Sequence, residues 1–463
     1  MLFHMSIAGR DPRHVAEVIA EIWGGEAFVF PPVAEGSWIA IAGDDRGTAL
    51  EVYDYLVFAY FALFIGQAFF PSDNPTTTLL ASLATFAGGF ITRPLGAIVI
   101  GRMGDRIGRK PAMLLSFMLL GIATLALALT PSYAQIGLAA PILAVLFRML
   151  QGFALGGEMG PSTTYLIEAA PPERRGFFVS LQYTAMGTAG LTAGLMGVGM
   201  ASLFDADGLR DYGWRIAMLV GVAVIPVGLI LRRTLVETLP ELPPDAGAAK
   251  PEKAARHLRL ALLGLVMMSA GATVAYVLAY FATYAITTLK LTPGIAFGAT
   301  ALNGLVGVVG SLIGGMLSDR FGRKPVMMTA WVVMLVSIYP MFFMIIHFSS
   351  AEAIYLTQVV VGGAGSIGAV SVLVAVTESF PARMRSGAVS LVFALSTAVF
   401  AGSAQFNVVW LTSVTGSPYA PAWYVLAWVA LGLVAMSQLA ESAPRRAARL
   451  AACAKPALQE AQA

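Results

Sequence analysis

Long apolar blocks and short polar interruptions alternate along this chain. Apolar segments fall at roughly 48–70, 77–100, 112–130, 139–168, 177–203 and 214–232, and again at 259–284, 294–317, 326–347, 353–377, 387–412 and 420–439. Runs of this kind are long enough to cross a bilayer as helices. The pattern therefore predicts twelve transmembrane helices in two sets of six. Between the sets lies a polar stretch, 233–258, with Pro240, Pro243, Pro244 and Pro251. The expected organisation is an N-terminal extension of open structure (1–46), a six-helix half (47–232), a linker (233–258), a second half (259–440) and a polar tail (441–463). The fold class is an all-α membrane protein.

Composition agrees. Of 463 residues 57% are hydrophobic and 12% charged, whereas soluble domains carry about 25% charged residues. The one cysteine, Cys453, lies in the tail and has no assigned role. Residues 1–46 show no basic start followed by a clean apolar core, so no cleavable signal peptide is expected. The patches Ala27–Phe30 and Trp38–Ile41 are too short to span. An interfacial segment, a disordered extension and a misassigned start codon all remain open for this region. With both termini on one side, Lys and Arg divide 24 to 3 in favour of that side, with Arg93 and Arg148 inside helices. That asymmetry predicts cytoplasmic termini.

One polar stretch recurs. Gly101-Arg-Met-Gly-Asp-Arg-Ile-Gly-Arg-Lys-Pro111 returns 214 residues later as Gly315-Met-Leu-Ser-Asp-Arg-Phe-Gly-Arg-Lys-Pro325. The repeat says that the halves are related. It reads as a tight turn between helices 2 and 3 and between helices 8 and 9. Gly101 and Gly108 permit close backbone approach, Asp105 suits free amides at a helix start, and Arg102, Arg106, Arg109 and Lys110 hold the turn in the cytoplasm. Gly315, Asp319, Arg320, Gly322, Arg323 and Lys324 stand in the second copy. A further echo places Glu168 and Arg175 against Glu378 and Arg385 at the ends of the fourth helix of each half. Together they predict a ring of charges acting as a cytoplasmic gate.

Ionisable groups inside spanning helices are functional candidates. The first half offers Glu51 and Asp54, Arg93, Arg148 and Glu158. The second offers neutral groups: Asn303, Gln358, Gln405 and Asn407, with His347 at a helix end. Asp54 and Arg93 lie at similar depths, which predicts an ion pair that keeps Asp54 charged. Glu158 has no nearby basic residue, and desolvation favours its neutral form; it is the expected coupling carboxylate. Arg148 is expected unpaired in the outer part of the cavity, open to a carboxylate ligand or held by helix-end carbonyls. Tyr276, Tyr280 and Tyr284 share a face of helix 7, and Gln182 and Tyr183 lie in helix 5. Packing is the simpler reading of both sets, and of Gly152, Gly156, Gly160, Gly190 and Gly194. There is no phosphate-binding loop, and no His/Cys cluster with metal spacing. No enzyme chemistry, metal or cofactor is expected.

The repeated G-x-x-x-D-R-x-G-R-K resembles the signature loop of the major facilitator superfamily. Gly47–Tyr55, Arg93-Pro-Leu-Gly-Ala97, Ser132–Gly137 and Arg148-Met-Leu-Gln-Gly152 running to Glu158 resemble its metabolite:proton symporters, with the citrate and dicarboxylate carriers most similar, over residues 47 to 440. The resemblance implies the major facilitator fold, with helices 1, 4, 7 and 10 lining a cavity and 2, 5, 8 and 11 flanking it. It implies proton-coupled symport of a small organic anion, a di- or tricarboxylate such as citrate or 2-oxoglutarate, by alternating access. Arg148, Gln182, Tyr276, Tyr280 and Asn303 become candidates for substrate, and Glu158, Asp54, Glu51 and Arg93 for proton coupling. The expected setting is a bacterial cytoplasmic membrane, with the lipid bilayer and the substrate as partners, no nucleic acid, and a functional monomer. Symport of a zwitterionic osmolyte such as proline or betaine stays as an alternative, sodium as an alternative coupling ion, and a non-transporting sensor as the reading from another class. Val52 departs from the family's residue beside the first acidic pair, and residues 1–46 exceed its usual start.

Overall fold

The computed structural model describes residues 28–29, 38–39, 45–107, 109–156, 159–222 and 251–443, with the backbone alone given for short stretches at some helix ends. It is helical apart from two short strands. These are β1 (Phe28–Val29) and β2 (Trp38–Ile39), paired antiparallel, with Phe28 opposite Ile39. They come from the two apolar patches that are too short to span.

The first half contains α1 (Asp45–Tyr60 and Ala62–Phe69), α2 (Pro75–Ile91 and Arg93–Ile107), α3 (Arg109–Leu129), α4 (Ala139–Leu155 and Met159–Ala169), α5 (Arg175–Leu203) and α6 (Trp214–Gly221). The second contains α7 (Pro251–Thr287), α8 (Pro293–Phe321), α9 (Arg323–Phe348), α10 (Ala351–Thr357 and Gly363–Ser379), α11 (Ala382–Leu395 and Ala404–Thr415) and α12 (Ala420–Gln438). Among the described residues eight helices are long and apolar enough to cross a membrane, or nine if α1, bent by 72°, counts as one span. Leu114–Leu129 and Ala139–Leu155 are shorter apolar helices. Large apolar side chains such as Leu95, Leu146, Val336 and Leu431 point outward from the bundle. This is the surface lipid requires, since helices satisfy their own backbone there.

Two boundaries differ from the sequence expectation. The last part of the predicted linker is helix, because α7 begins at Pro251, a residue preorganised for a first helical position; residues 233–250 lie outside those described. In the signature stretches the charged residues belong to helix ends rather than to the expected turn itself. In the second copy α8 runs to Phe321 and α9 starts at Arg323, leaving Gly322 alone as the turn, at φ 102°. That φ strains any residue with a Cβ. The first copy has the same plan, with helix on both sides of Gly108, which itself lies outside the described residues.

The halves meet most extensively along α5 and α8. Small residues make this possible. A Cβ on Gly194 would run into the Ala301 backbone, and one on Gly304 into that of Leu191. Such close approach is how membrane helices gain van der Waals contact where lipid leaves no hydrophobic driving force. Gly304→Val should therefore lower both the yield of folded protein and its melting temperature in detergent, overpacking costing about 1–3 kcal/mol or more. Gly88→Val, where an added Cβ meets nothing within 4 Å, should leave both unchanged in the same thermal melts.

Candidate functional site

A cavity of about 290 Å³ lies between the halves. Its first-half wall includes Tyr55, Tyr60, Arg93, Tyr183 and Met186; its second-half wall includes Met267, Tyr276, Asn303, Trp331 and Phe393. The lining is mostly apolar. Two of its helices carry π-helical turns, Gln358–Gly362 in α10 and Ser396–Ala401 in α11, and Gly362 and Thr397 from those turns line it. Such turns often mark functional positions.

Among the five residues expected to touch substrate, Tyr276 and Asn303 line the cavity, and Arg148, Gln182 and Tyr280 do not. Gln182 is buried, accepting from Thr163 at 2.9 Å and donating to Ser162 at 3.1 Å. Tyr280 packs beside Tyr284, whose hydroxyl donates to the Pro418 carbonyl. The neutral groups of the second half divide similarly. The Gln358 and Gln405 amides donate to the backbone carbonyls of Leu278 and Tyr276, fixing α7. Asn407 bonds Ser403 and Tyr424. Asn303 has no hydrogen-bond partner among the described residues and is half-buried on the wall. His347 stacks on Phe343 at an exposed end of α9.

The charged residues correct the sequence reading. Asp54 does not pair with Arg93. Its carboxylate accepts from the Gln151 amide at 2.8 Å, and the Gln151 carbonyl accepts from Arg148 Nη1 at 2.8 Å. Gln151 also donates to Thr124 at 2.9 Å. Arg148 is thus neither unpaired nor on the cavity wall. It is 3% exposed and lies 4.4 Å from the ring centre of Phe58. Equal depth along the two helix axes leaves rotation about them open; spacing alone does not say which way a side chain turns. Arg93 instead faces the cavity, its guanidinium 4.1 Å from the Phe90 ring centre and 5.4 Å from that of Tyr55, beside the Tyr276 hydroxyl. Among the described residues no carboxylate pairs with it. Glu158 lies outside the described residues, and of Glu51 the backbone alone is described.

Contacts between the halves cross both ends of the cavity. At the signature-stretch end, Asp319 accepts from the amides of Gly176 and Phe177, each at 2.8 Å, at the start of α5. The residue preceding α5, Arg174, gives no side-chain cap, so the other half supplies it. Arg175 meets Glu378 at 3.5 Å, and Arg385 meets Glu168 at 3.1 Å. Arg323 joins Asp319 at 2.6 Å and Glu378 at 3.4 Å. Lys324 donates to the carbonyls of Ser437 and Leu439. Gly315 packs backbone to backbone on Gly176, and the Arg320 guanidinium lies 5.3 Å from the Phe321 ring centre. For Gly101, Asp105, Arg106, Arg109 and Lys110 the backbone alone is described. At the other end the closure is aromatic: Tyr55 on Tyr276 at 5.5 Å, Phe90 on Tyr276 at 5.4 Å, and Phe61 on Phe297 at 4.6 Å.

Comparison with known proteins places this architecture. The sugar (and other) transporter family matches residues 46–241 and 249–445. The chain belongs to that family. It is 33% identical over 398 residues to a citrate-proton symporter of Salmonella typhi, covering 84% of this chain and 91% of the relative. It is also 33% identical over 394 residues to the alpha-ketoglutarate permease of Escherichia coli, covering 83% and 90%. A glycine betaine/proline/ectoine/pipecolic acid transporter of Dickeya dadantii is 31% identical over 414 residues, covering 84% and 80%. Among solved structures, the inward-open xylose transporter of E. coli superposes with a TM-score of 0.68 at 18% identity, covering 86% of this chain and 95% of that one; a major facilitator superfamily proton:xylose symporter superposes with a TM-score of 0.65 at 17% identity. The protein is a multi-pass membrane transporter, not an enzyme. Tyr55, Tyr60, Trp331 and Phe393 are wall residues that sequence reasoning missed. Tyr55 alone carried a signal, lying in the quoted Gly47–Tyr55 motif.

The bridging amide yields a prediction. Gln151→Ala strips one hydrogen bond from Asp54 and one from Arg148, both buried; unsatisfied buried groups cost about 1–3 kcal/mol each, more when charged. The variant should melt several degrees lower than wild type in detergent. Thr124→Val, which removes the bond from the amide and the hydroxyl's donation to the Leu120 carbonyl but leaves the Asp54–Gln151–Arg148 bridge in place, should have a smaller effect.

Proposed function

We propose that this protein is a proton-coupled symporter of a small organic anion, working by alternating access in a bacterial cytoplasmic membrane, as a monomer with both termini cytoplasmic. The observation that carries the reading is Arg93, a guanidinium on the wall of a mostly apolar cavity between the halves, with no carboxylate partner among the described residues. A guanidinium in that position suits a carboxylate through paired N–H donors. The named activities of the citrate and alpha-ketoglutarate relatives support carboxylates as the first substrates to try. The osmolyte reading has relatives too. It needs a home for a cationic group, and the rings of Tyr55 and Phe90 that could offer one already face Arg93. Uptake of labelled citrate, 2-oxoglutarate, proline and betaine into proteoliposomes tests the choice. Carboxylate uptake should rise with an inward-directed proton gradient and ignore a sodium gradient. Arg93→Gln should raise the half-saturation concentration about tenfold or more, the loss of a charge-assisted pair being about 1.5–3 kcal/mol. Proline uptake with no carboxylate uptake would reverse the assignment.

The proton requires a carboxylate that tolerates both charge states. Glu158 is preferred over Asp54 only if Asp54 faces an arginine directly. That ground is gone: Asp54 meets a neutral amide, and its Oδ1 has no partner among the described residues. The Gln151 N–H can donate to a carboxylate or to the carbonyl of a carboxylic acid. Asp54 therefore joins Glu158 as a coupling candidate. The variant that removes the coupling proton should lose gradient-driven accumulation yet keep exchange of labelled for unlabelled substrate. We expect Asp54→Asn to behave in this way; Glu158→Gln doing so instead, with Asp54→Asn still accumulating, would return the role to Glu158.

A further inference from the structure

Among the described residues the cavity wall carries one cation, and its second-half side is uncharged. Arg93 is the sole arginine or lysine among the described residues on its wall. The other buried or half-buried cations nearby are engaged elsewhere: Arg148 by Gln151, Arg175 and Arg323 by Glu378, Arg385 by Glu168, and Arg215 by the carbonyls of Ala128 and Thr130. The second-half wall presents Met267, Met268, Trp331 and Met334, the hydroxyls of Ser311, Ser366, Ser390 and Thr397, and one amide, Asn303, all of them uncharged. Asn303 can both donate to and accept from a neutral group. A second ionised carboxylate placed there would lose its hydration without a counter-charge, which costs far more than a neutral group in the same position.

We propose that the cavity binds its substrate as a monoanion: one carboxylate on Arg93, and an uncharged, hydrogen-bonding end reaching Asn303 among the methionines and Trp331. A dicarboxylate enters this site with its distal carboxyl protonated. The inference rests on the carboxylate reading of the cavity and goes beyond it by assigning the charge of the bound species.

The test compares glutarate with the same skeleton carrying an amide in place of one carboxyl, binding to the purified full-length carrier by calorimetry. At neutral pH the amide should bind about tenfold tighter or more. The gap should shrink at mildly acidic pH, as the distal carboxyl of the diacid protonates. Asn303→Leu should weaken the amide several-fold more than it weakens a simple alkyl monocarboxylate, and Arg93→Gln should weaken all of them. A diacid that binds tighter than the amide at neutral pH, or a gap that pH does not move, overturns the monoanion inference and leaves carboxylate transport standing. Failure of every carboxylate to bind while betaine binds removes both.

Discussion

A bundle surrounded by lipid cannot leave a buried charge unanswered, and that constraint decides where each ionisable group of this protein goes. Water is not there to solvate it, and a lone ion in a low-dielectric interior costs several kcal/mol even after relaxation. Asp54 and Arg148 answer one another through a neutral intermediary, Gln151. Arg323, 1% exposed, is held between Asp319 and Glu378. Arg93 is answered by aromatic faces, which stabilise a desolvated guanidinium less than a carboxylate does. The group left with the weakest compensation is the one on the cavity wall. It is also the one with most to gain from an anionic ligand.

The same constraint separates the two closures. The aromatic one buries apolar rings, so its strength grows with area and packing. The polar one is made of contacts that water could replace. Glu168 is 49% exposed, and exposed pairs are worth about 0–1 kcal/mol. Asp319 divides its hydrogen bonds between Arg323 in its own half and the α5 amides in the other. Parting the halves at this end removes the α5 bonds but leaves Asp319 with its arginine. No charge is stranded in that step, which keeps opening within reach of a small differential binding energy.

The chain pattern made the architecture legible because apolar run length and the repeated signature are properties of single segments. Helix identity, order and relatedness of the halves follow from them. Rotation about each helix axis does not. Arg93 and Arg148 look alike in sequence, each a lone arginine in an apolar run, yet one faces the cavity and the other is closed into a network. What turned Arg148 away was Gln151, three residues on and on the same face, read from the sequence only as part of a family motif. The aromatic cluster was invisible for a related reason. Tyr55, Phe86, Phe90 and Tyr276 are unremarkable singly in a chain with 14 tyrosines and 26 phenylalanines, and their meaning lies in meeting across helices. The tight turn expected between helices 8 and 9 is there, but it is a single residue, Gly322, and the charged residues around it belong to the helix ends, a boundary that charge density does not mark.

The two arginines are not independent. Arg148 lies 5.2 Å from the Phe86 ring centre, Phe86 stacks on Tyr55 at 5.7 Å, and Tyr55 faces Arg93. Both cations therefore border one aromatic cluster, and each raises the cost of the other's charge. While Asp54 is ionised, its negative charge offsets part of that repulsion. If Asp54 carries the coupling proton, protonation removes the offset, and the cluster holds two cations with no carboxylate charge among the described residues around it. An anion arriving at Arg93 then restores the balance. Anion binding and protonation would favour one another, and by linkage the benefit is equal in both directions. No moving part is needed for this coupling beyond the charges themselves; it would make the anion-free, protonated state and the anion-bound, deprotonated state both less populated than the empty and fully loaded ones. Lower populations of the two singly loaded states reduce any leak through them, which is what symport needs from this coupling.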